Sequence, residues 1–416
     1  MQKTPKGFRL HIGLFGRRNV GKSSLLNAIT RQSVSIVSDV PGTTTDPVEK
    51  PMEMLPLGPV LFIDTAGIDD VGALGELRVQ KTRQVFDRAD LAVLVAEAGV
   101  WGQFEEMLLK EFARIKTPLI VVMNKTDIAK PDERVEAALK AKKIPVVHAV
   151  ATRGEGVLEL CEDLIRCAPE DFINQPSLLG DLVPPGEMVV FVVPIDLEAP
   201  KGRLILPQVQ AIRDILDNDS YCIVAKEREL RDALDRLNRP PALVVTDSQA
   251  FLKVAGDTPP HIKLTSFSIL FARFKGDLLE FVRGAAAVDR LKPGSKVLVA
   301  EACSHHPIGD DIGRVKIPRW LRQYVGGPLE FHTAQGHDWP EDLATYSLVV
   351  HCGGCMFNRR EVLSRMLRVR EAGVPITNYG LCIAYSLGIF DRALEPFPAA
   401  LELWRHLRSG RSAAAE

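Results

Sequence analysis

The run GLFGRRNVGKSSLLNAIT, residues 13–30, constrains the fold of this chain more than any other stretch. Gly16-x-x-x-x-Gly21-Lys22-Ser23 joins an apolar strand pattern, RLHIGLFG, to a helical one. The two glycines let the backbone curl so that several N–H groups converge on one point. A helix starting near Lys22 adds the positive end of its dipole at that point. Such a loop is made for phosphates. Lys22 would reach the β and γ phosphates, the Ser23 hydroxyl would bind Mg²⁺, and Ser24 would add a further contact.

Apolar runs alternate with helical patterns as far as residue 168. VLFIDTAG, LAVLVAEA, PLIVVMNK and IPVVHAV are short and rich in β-branched residues. Between helices, runs of this kind predict a mainly parallel, doubly wound sheet covered on both faces. Their ends carry chemistry. DTAG places Asp64 to hold the Mg²⁺ shell and Gly67 to offer its N–H to a γ-phosphate. PGTTTD, a turn signal in isolation, falls where a switch loop would lie, and Thr44 is expected to bind Mg²⁺ while the γ-phosphate is present. NKTD supplies Asp127, which can accept from guanine N1–H and the N2 amino group. Adenine lacks that pair of donors, and a buried carboxylate facing it would lose about 1–3 kcal/mol. Asn124 and Lys125 would brace the pocket, and the Ala151 N–H would meet guanine O6. GTP with Mg²⁺ is therefore the expected ligand.

This order of motifs, over residues 8–168, resembles the translation-factor-like small GTPases, especially the bacterial branch of Era, Der and MnmE. The resemblance implies an N-terminal P-loop GTPase domain, set here at residues 1–168, with Lys22, Asn19, Thr44 and Gly67 serving hydrolysis. Three positions refine it. Ile68 stands where Ras-like GTPases carry a water-orienting glutamine, so hydrolysis should be slow or depend on another group. Asn19 sits as in potassium-activated relatives, where K⁺ would replace an arginine finger. The alternative is that Asn19 only braces the turn. Val150 precedes Ala151 where the family has Ser-Ala, so a hydroxyl is missing and base affinity should be modest.

The 416 residues leave room beyond this domain, and two or three domains in all are expected. With 46% apolar and 25% charged residues the composition is that of a globular protein. A net charge of −1 argues against a nucleic acid or an acidic membrane as partner. No apolar run reaches about 18 residues, and the N-terminus lacks a signal-peptide pattern, so a cytoplasmic protein is expected. Residues 168–186, rich in proline and turn residues, read as a linker. Residues 187–265 form a small α/β pattern without evident chemistry. Residues 264–288 read as helical and apolar on more than one face, suiting a domain bridge, a subunit contact or plain core. A third α/β pattern follows, giving a 266–416 domain.

In that third part, Cys303-Ser304-His305 and His351-Cys352-Gly353-Gly354-Cys355 each follow an apolar strand, KVLVA and YSLVV. If those strands are parallel, both loops emerge at the carboxyl edge of one sheet, where α/β folds place ligands. Zinc could take three thiolates and a histidine. A redox Cys-x-x-Cys is possible, though no thioredoxin pattern surrounds it. An iron–sulfur cluster could take three thiolates and leave one iron open, and the Gly353-Gly354 pair gives N–H groups access to sulfides. Unligated core thiols are the plain alternative, and the favoured one for Cys161, Cys167, Cys222 and Cys382. Seven cysteines at irregular spacing do not form a disulfide framework.

The whole chain resembles the HydF family of [FeFe]-hydrogenase maturation factors: a GTPase domain, a middle domain, then Cys-x-His and His-Cys-x-x-Cys with a long spacer. The resemblance implies a [4Fe–4S] cluster on Cys303, Cys352 and Cys355, with His305 or His351 as possible fourth ligand. It implies dimerisation through residues 187–265. It also implies a scaffold that receives a diiron precursor from radical-SAM maturases and delivers it to the apo-[FeFe]-hydrogenase. The helix carrying Arg359, Arg360, Arg365, Arg368 and Arg370 is either a cradle for that anionic cargo or a solvated face. Rival functions are a zinc-containing GTPase acting in tRNA modification or ribosome assembly, and a nucleotide-governed thiol redox enzyme.

Overall fold

The computed structural model describes residues 4–30, 47–65, 84–173, 177–194, 204–302 and 311–415. It divides into two compact units, Met1–Gln175 and Pro176–Glu416. The boundary falls inside the stretch expected to be a linker.

The first unit holds β1 (Leu10–Phe15), β2 (Val48–Met54), β3 (Gly58–Asp64), β4 (Leu91–Glu97), β5 (Leu119–Asn124) and β6 (Val146–Ala149). They form one sheet in the order β2-β3-β1-β4-β5-β6. All neighbours are parallel except β2 against β3. The apolar runs are buried on both faces. Ile12, Leu14 and Phe62 pack with Leu25, Leu26, Leu160 and Leu164 on one side. Phe15, Leu61 and Ile63 pack with Phe86 and Phe112 on the other. Phe15 stacks on Phe86 at 4.6 Å and meets Phe112 edge-on at 4.9 Å. With this sheet covered on both sides, the expected doubly wound α/β domain is present.

The second unit contains two further all-parallel sheets. β7 (Met188–Val192), β8 (Tyr221–Ala225), β9 (Leu243–Thr246) and β10 (Lys263–Ser266) lie in the order β10-β9-β7-β8. β11 (Lys296–Glu301), β12 (Glu330–Gln335), β13 (Leu348–His351) and β14 (Ile376–Asn378) lie in the order β12-β11-β13-β14. The two strands expected to carry the thiol loops are thus adjacent, parallel and central.

Two local expectations change. Residues 264–288 are not one helix. β10 ends at Ser266, which caps the helix Phe267–Lys275 by accepting from the Ile269 N–H. Extended Gly276 breaks the helix, and Asp277 starts the next, Leu278–Ala285, by accepting from the N–H groups of Leu279 and Glu280. Phe267–Lys275 packs on the helix Leu206–Asp217 of the second sheet and on Arg359–Glu371 and Tyr379–Ser386 of the third. That bridging position explains why several of its faces are apolar. The linker expectation also needs correction at its far end. The N–H groups of Leu178, Leu179 and Gly180 and the Ser177 hydroxyl all donate to the Asp214 carboxylate, so this stretch is fastened to the unit that follows.

Candidate functional site

The phosphate loop leaves the carboxyl end of β1. Gly16 has φ +145, and a Cβ there would lie 2.2 Å from the Val95 carbonyl oxygen. Gly21 has φ +94, and a Cβ there would strike the Asn124 amide nitrogen at 2.2 Å. Only glycine fits either place. Asn124 donates to the Val20 carbonyl at 2.8 Å and accepts from the Ala151 N–H at 3.0 Å. It therefore ties the phosphate loop, the end of β5 and the loop after β6 together. The Ala151 N–H, expected to face guanine O6, donates to the Asn124 amide oxygen in this structure. Lys22 is buried and donates to the carbonyls of Gly16 at 3.0 Å and Arg17 at 2.7 Å. Its ammonium is thus held over the loop that would enclose the phosphates.

The Ser23 hydroxyl donates to Asp64 Oδ2 at 2.6 Å. The two groups expected to share a Mg²⁺ shell already touch, a donor set of hard oxygens that suits that ion. Ser24 lies in the first turn of the helix Lys22–Thr30. Lys125 is held by Glu97 at 2.7 Å, and Arg153 stands 3.4 Å from Asp127. Thr44, Gly67 and Ile68 lie outside the described residues. Asn19 is exposed with φ +60, a left-handed conformation that asparagine tolerates better than most residues. Nothing in the local residue pattern points to the Arg17–Glu105 pair. Arg17 clasps the buried Glu105 through two bonds, of 2.6 and 2.8 Å, and lies over the Phe104 ring. This fork anchors the phosphate loop to the helix Gln103–Arg114.

The second constellation sits at the carboxyl edge of the third sheet. The Cys352 N–H donates to the Ala300 carbonyl at 2.8 Å. The Cys352 sulfur accepts from the N–H of Ala302 at 3.1 Å and of Gly354 at 3.4 Å. Backbone donors aimed at a sulfur stabilise its thiolate form, the form that ligates metal. Gly354 has φ +64 and lets the loop turn toward Cys355. Cys352 and Cys355 are half-buried and are not joined in a disulfide. Cys303 and His305 lie outside the described residues. Among the described residues, no group of three or more His, Cys, Asp or Glu is placed to hold a metal ion.

His351 ends β13, fully buried. Its Nδ1 lies 2.7 Å from the Cys352 carbonyl oxygen, which fixes the proton on Nδ1 and leaves a lone pair on Nε2. Burial, aided by the Arg365 cation, lowers its pKa to about 4, so the ring is neutral. Among the described residues, several buried polar atoms of this domain have no hydrogen-bond partner: His351 Nε2, Trp339 Nε1, Asn378 Nδ2 and the Tyr379 hydroxyl. Orphaned polar atoms near thiol-bearing loops fit a site made to receive another group. Thiolates with N–H donors and a neutral imidazole are also the soft donor set that iron–sulfur clusters and zinc share.

The arginine helix is not a uniform solvated face. Arg365 is buried between the rings of Trp339 at 4.6 Å and Phe357 at 4.3 Å, and pairs with Glu361. Arg359 donates to the Phe274 carbonyl at 2.6 Å. At least these two arginines serve packing. The plain reading of the other thiols fits as well. Cys161 and Cys167 pack on the first core. Burial pushes the Cys382 thiol up to about 12 and raises those of Cys167 and Cys222.

Comparison with known proteins assigns these parts. Residues 178–276 match the Hydrogen maturase F dimerization domain, and residues 279–396 the Hydrogen maturase F tetramerization domain. Residues 11–125 match the family described as 50S ribosome-binding GTPase. GTPase Era of Carboxydothermus hydrogenoformans is 35% identical over 167 residues, 38% of this chain and 55% of that protein. The tRNA modification GTPase MnmE of Synechococcus sp. (strain JA-2-3B'a(2-13)) is 41% identical over 157 residues, 37% of this chain and 32% of that protein. The chain thus spans about a third to a half of the length of these curated relatives. Among solved structures, the G domain of the T. maritima FeoB iron transporter is 30% identical, with 39% of this chain and 99% of that chain covered and a TM-score of 0.31.

Proposed function

The chain belongs to the hydrogen maturase F family, with a P-loop GTPase domain at its N-terminus, and from that premise we propose that it is a GTPase and iron–sulfur scaffold for [FeFe]-hydrogenase maturation. One observation carries the scaffold half: the Ala302 N–H meets the Cys352 sulfur at 3.1 Å. Cys303 is the next residue in the chain after Ala302. Cys303, Cys352 and Cys355 would hold a [4Fe–4S] cluster, with His305 or His351 available to the remaining iron. Such a cluster, when bound, supplies an iron site open to an outside ligand. The protein's own contribution is to aim sulfur-directed N–H groups, keep His351 neutral and shape the surroundings.

In the N-terminal domain Lys22, Ser23, Asp64, Thr44 and Gly67 would hold Mg²⁺ and the phosphates, and Asp127 the base. Asn19 would ligate K⁺ during hydrolysis, and the switch segments around Thr44 and Gly67 would report the nucleotide state. The cargo is a diiron precursor prepared with radical-SAM maturases and passed to the apo-hydrogenase in the cytoplasm. Residues 187–265 would make a homodimer.

Anaerobically purified protein is expected to be brown and to contain iron and sulfide. Cys352→Ser should bleach it while GTP hydrolysis persists. A colourless protein with stoichiometric zinc would overturn the iron–sulfur reading.

A further inference from the structure

Glu105 lies in the first turn of the helix Gln103–Arg114, where its Oε2 accepts from the Gly102 N–H at 2.9 Å. Closing a helix start in this way needs one oxygen and no burial. Yet Glu105 is only 1% exposed, and the same carboxylate receives Arg17 Nε on Oε1 at 2.6 Å and Arg17 Nη2 on Oε2 at 2.8 Å. Gly102 leaves little room to spare, since a Cβ there would lie 3.2 Å from Arg17 Nη2. The Phe104 ring, 5.3 Å from the guanidinium carbon, flanks the fork.

Arg17 is engaged through its backbone as well. Its carbonyl accepts from Lys22 Nζ at 2.7 Å, and the Gly16 carbonyl accepts from the same ammonium at 3.0 Å. One residue therefore leads in two steps from a buried carboxylate on one helix to the ammonium at the start of another. A buried ion pair is a weak source of stability, because apolar residues of similar size often match it. What they cannot match is the geometry: a two-bond fork fixes both distance and plane. Lys22 is the opposite case, a point charge on a flexible stem that settles where its acceptors lie. The place of the Arg17 carbonyl thus helps to decide where that charge stands when negative charge develops on the transferring phosphate.

We propose that Glu105, acting through Arg17, is a positioning residue for Lys22 in GTP hydrolysis. Its carboxylate holds the Arg17 side chain, and so the Arg17 carbonyl, where that carbonyl aims the ammonium. This rests on the placement of Lys22 at the phosphates given above. Neither Glu105 nor Arg17 need touch the nucleotide through its side chain.

The test is steady-state GTP hydrolysis by the full-length protein as wild type, Glu105→Gln and the double variant Arg17→Met/Glu105→Gln. Nucleotide sites are counted with a fluorescent GDP analogue, and melting is followed by circular dichroism. The double variant removes one charge of each sign, and its glutamine can still accept from the Gly102 N–H. In both variants kcat per site is expected to fall about tenfold, while KM for GTP changes less than about threefold. The double variant should melt close to wild type. A kcat per site equal to that of wild type overturns the proposal, whatever the melting temperature, because the fork is then a staple alone. Should the double variant not fold, Arg17→Lys decides, since it keeps the charge without the planar fork. An unchanged kcat per site there overturns the proposal too. Wild-type hydrolysis by Lys22→Ala would defeat the placement of Lys22 itself, which is a different result.

Discussion

At the scale of single residues, Asn19 separates two roles that the sequence alone leaves merged. Its φ of +60 shows that the turn uses asparagine for backbone reasons. Alanine there would confound strain with loss of the amide. Glycine keeps the backbone geometry and removes only the side-chain oxygen. If that oxygen ligates K⁺, Asn19→Gly should lose most of the stimulation of GTP hydrolysis by K⁺ over Na⁺, with little loss of nucleotide affinity. Undiminished stimulation would leave Asn19 as a turn residue. Much of this site was legible because each residue type answers a feature of a phosphate, a metal or a base. Ser23 and Asp64 were read as partners and touch. Arg17 and Glu105 were invisible, since a charge pair 88 residues apart in the chain leaves no local pattern. Arg365 was misleading for the same reason: its aromatic neighbours Trp339 and Phe357 come from other segments.

Among elements, helix–sheet contact in the third domain depends on one small residue. Gly284 lies in the helix Leu278–Ala285, and a Cβ there would sit 1.7 Å from the Ile376 carbonyl oxygen of β14. The obstruction is backbone, which cannot swing aside. Gly284→Ala should therefore cost at least about 1–3 kcal/mol despite alanine's better helix propensity. Thermal denaturation would show it as a lowered melting temperature, and an unchanged value would mean the helix can lift freely. The strands were readable from apolar runs of β-branched residues, since both faces of a parallel sheet are buried. The break at Gly276 and Asp277 was hidden because hydrophobic residues continue on both sides of it. Periodicity registers burial, and a helix wedged between sheets is buried on several faces wherever it bends.

For the whole molecule, the second sheet ends in an edge that invites a partner. β8 lies at the edge, with Tyr221 54% and Val224 46% exposed. Exposed apolar residues on the outer strand of a sheet are what natural proteins avoid unless that edge is covered. Residues 178–276 match a dimerization domain, so the occupant to test is a second copy of the chain. Replacing Val224 with lysine should shift the protein toward monomer in sedimentation equilibrium, with secondary structure retained. A sedimentation profile matching wild type would place the contact elsewhere.

The central, adjacent placement of β11 and β13 has a temporal consequence. The chain between them includes all of β12, so the strand that leads to Cys352 cannot pair with β11 until that intervening segment has been synthesised. On the iron–sulfur reading, metal insertion would then be a late event, following synthesis of β13 and its pairing with β11. Iron in its place would act as an inorganic staple across that excursion, and cells starved of iron should accumulate a folded but more easily unravelled form.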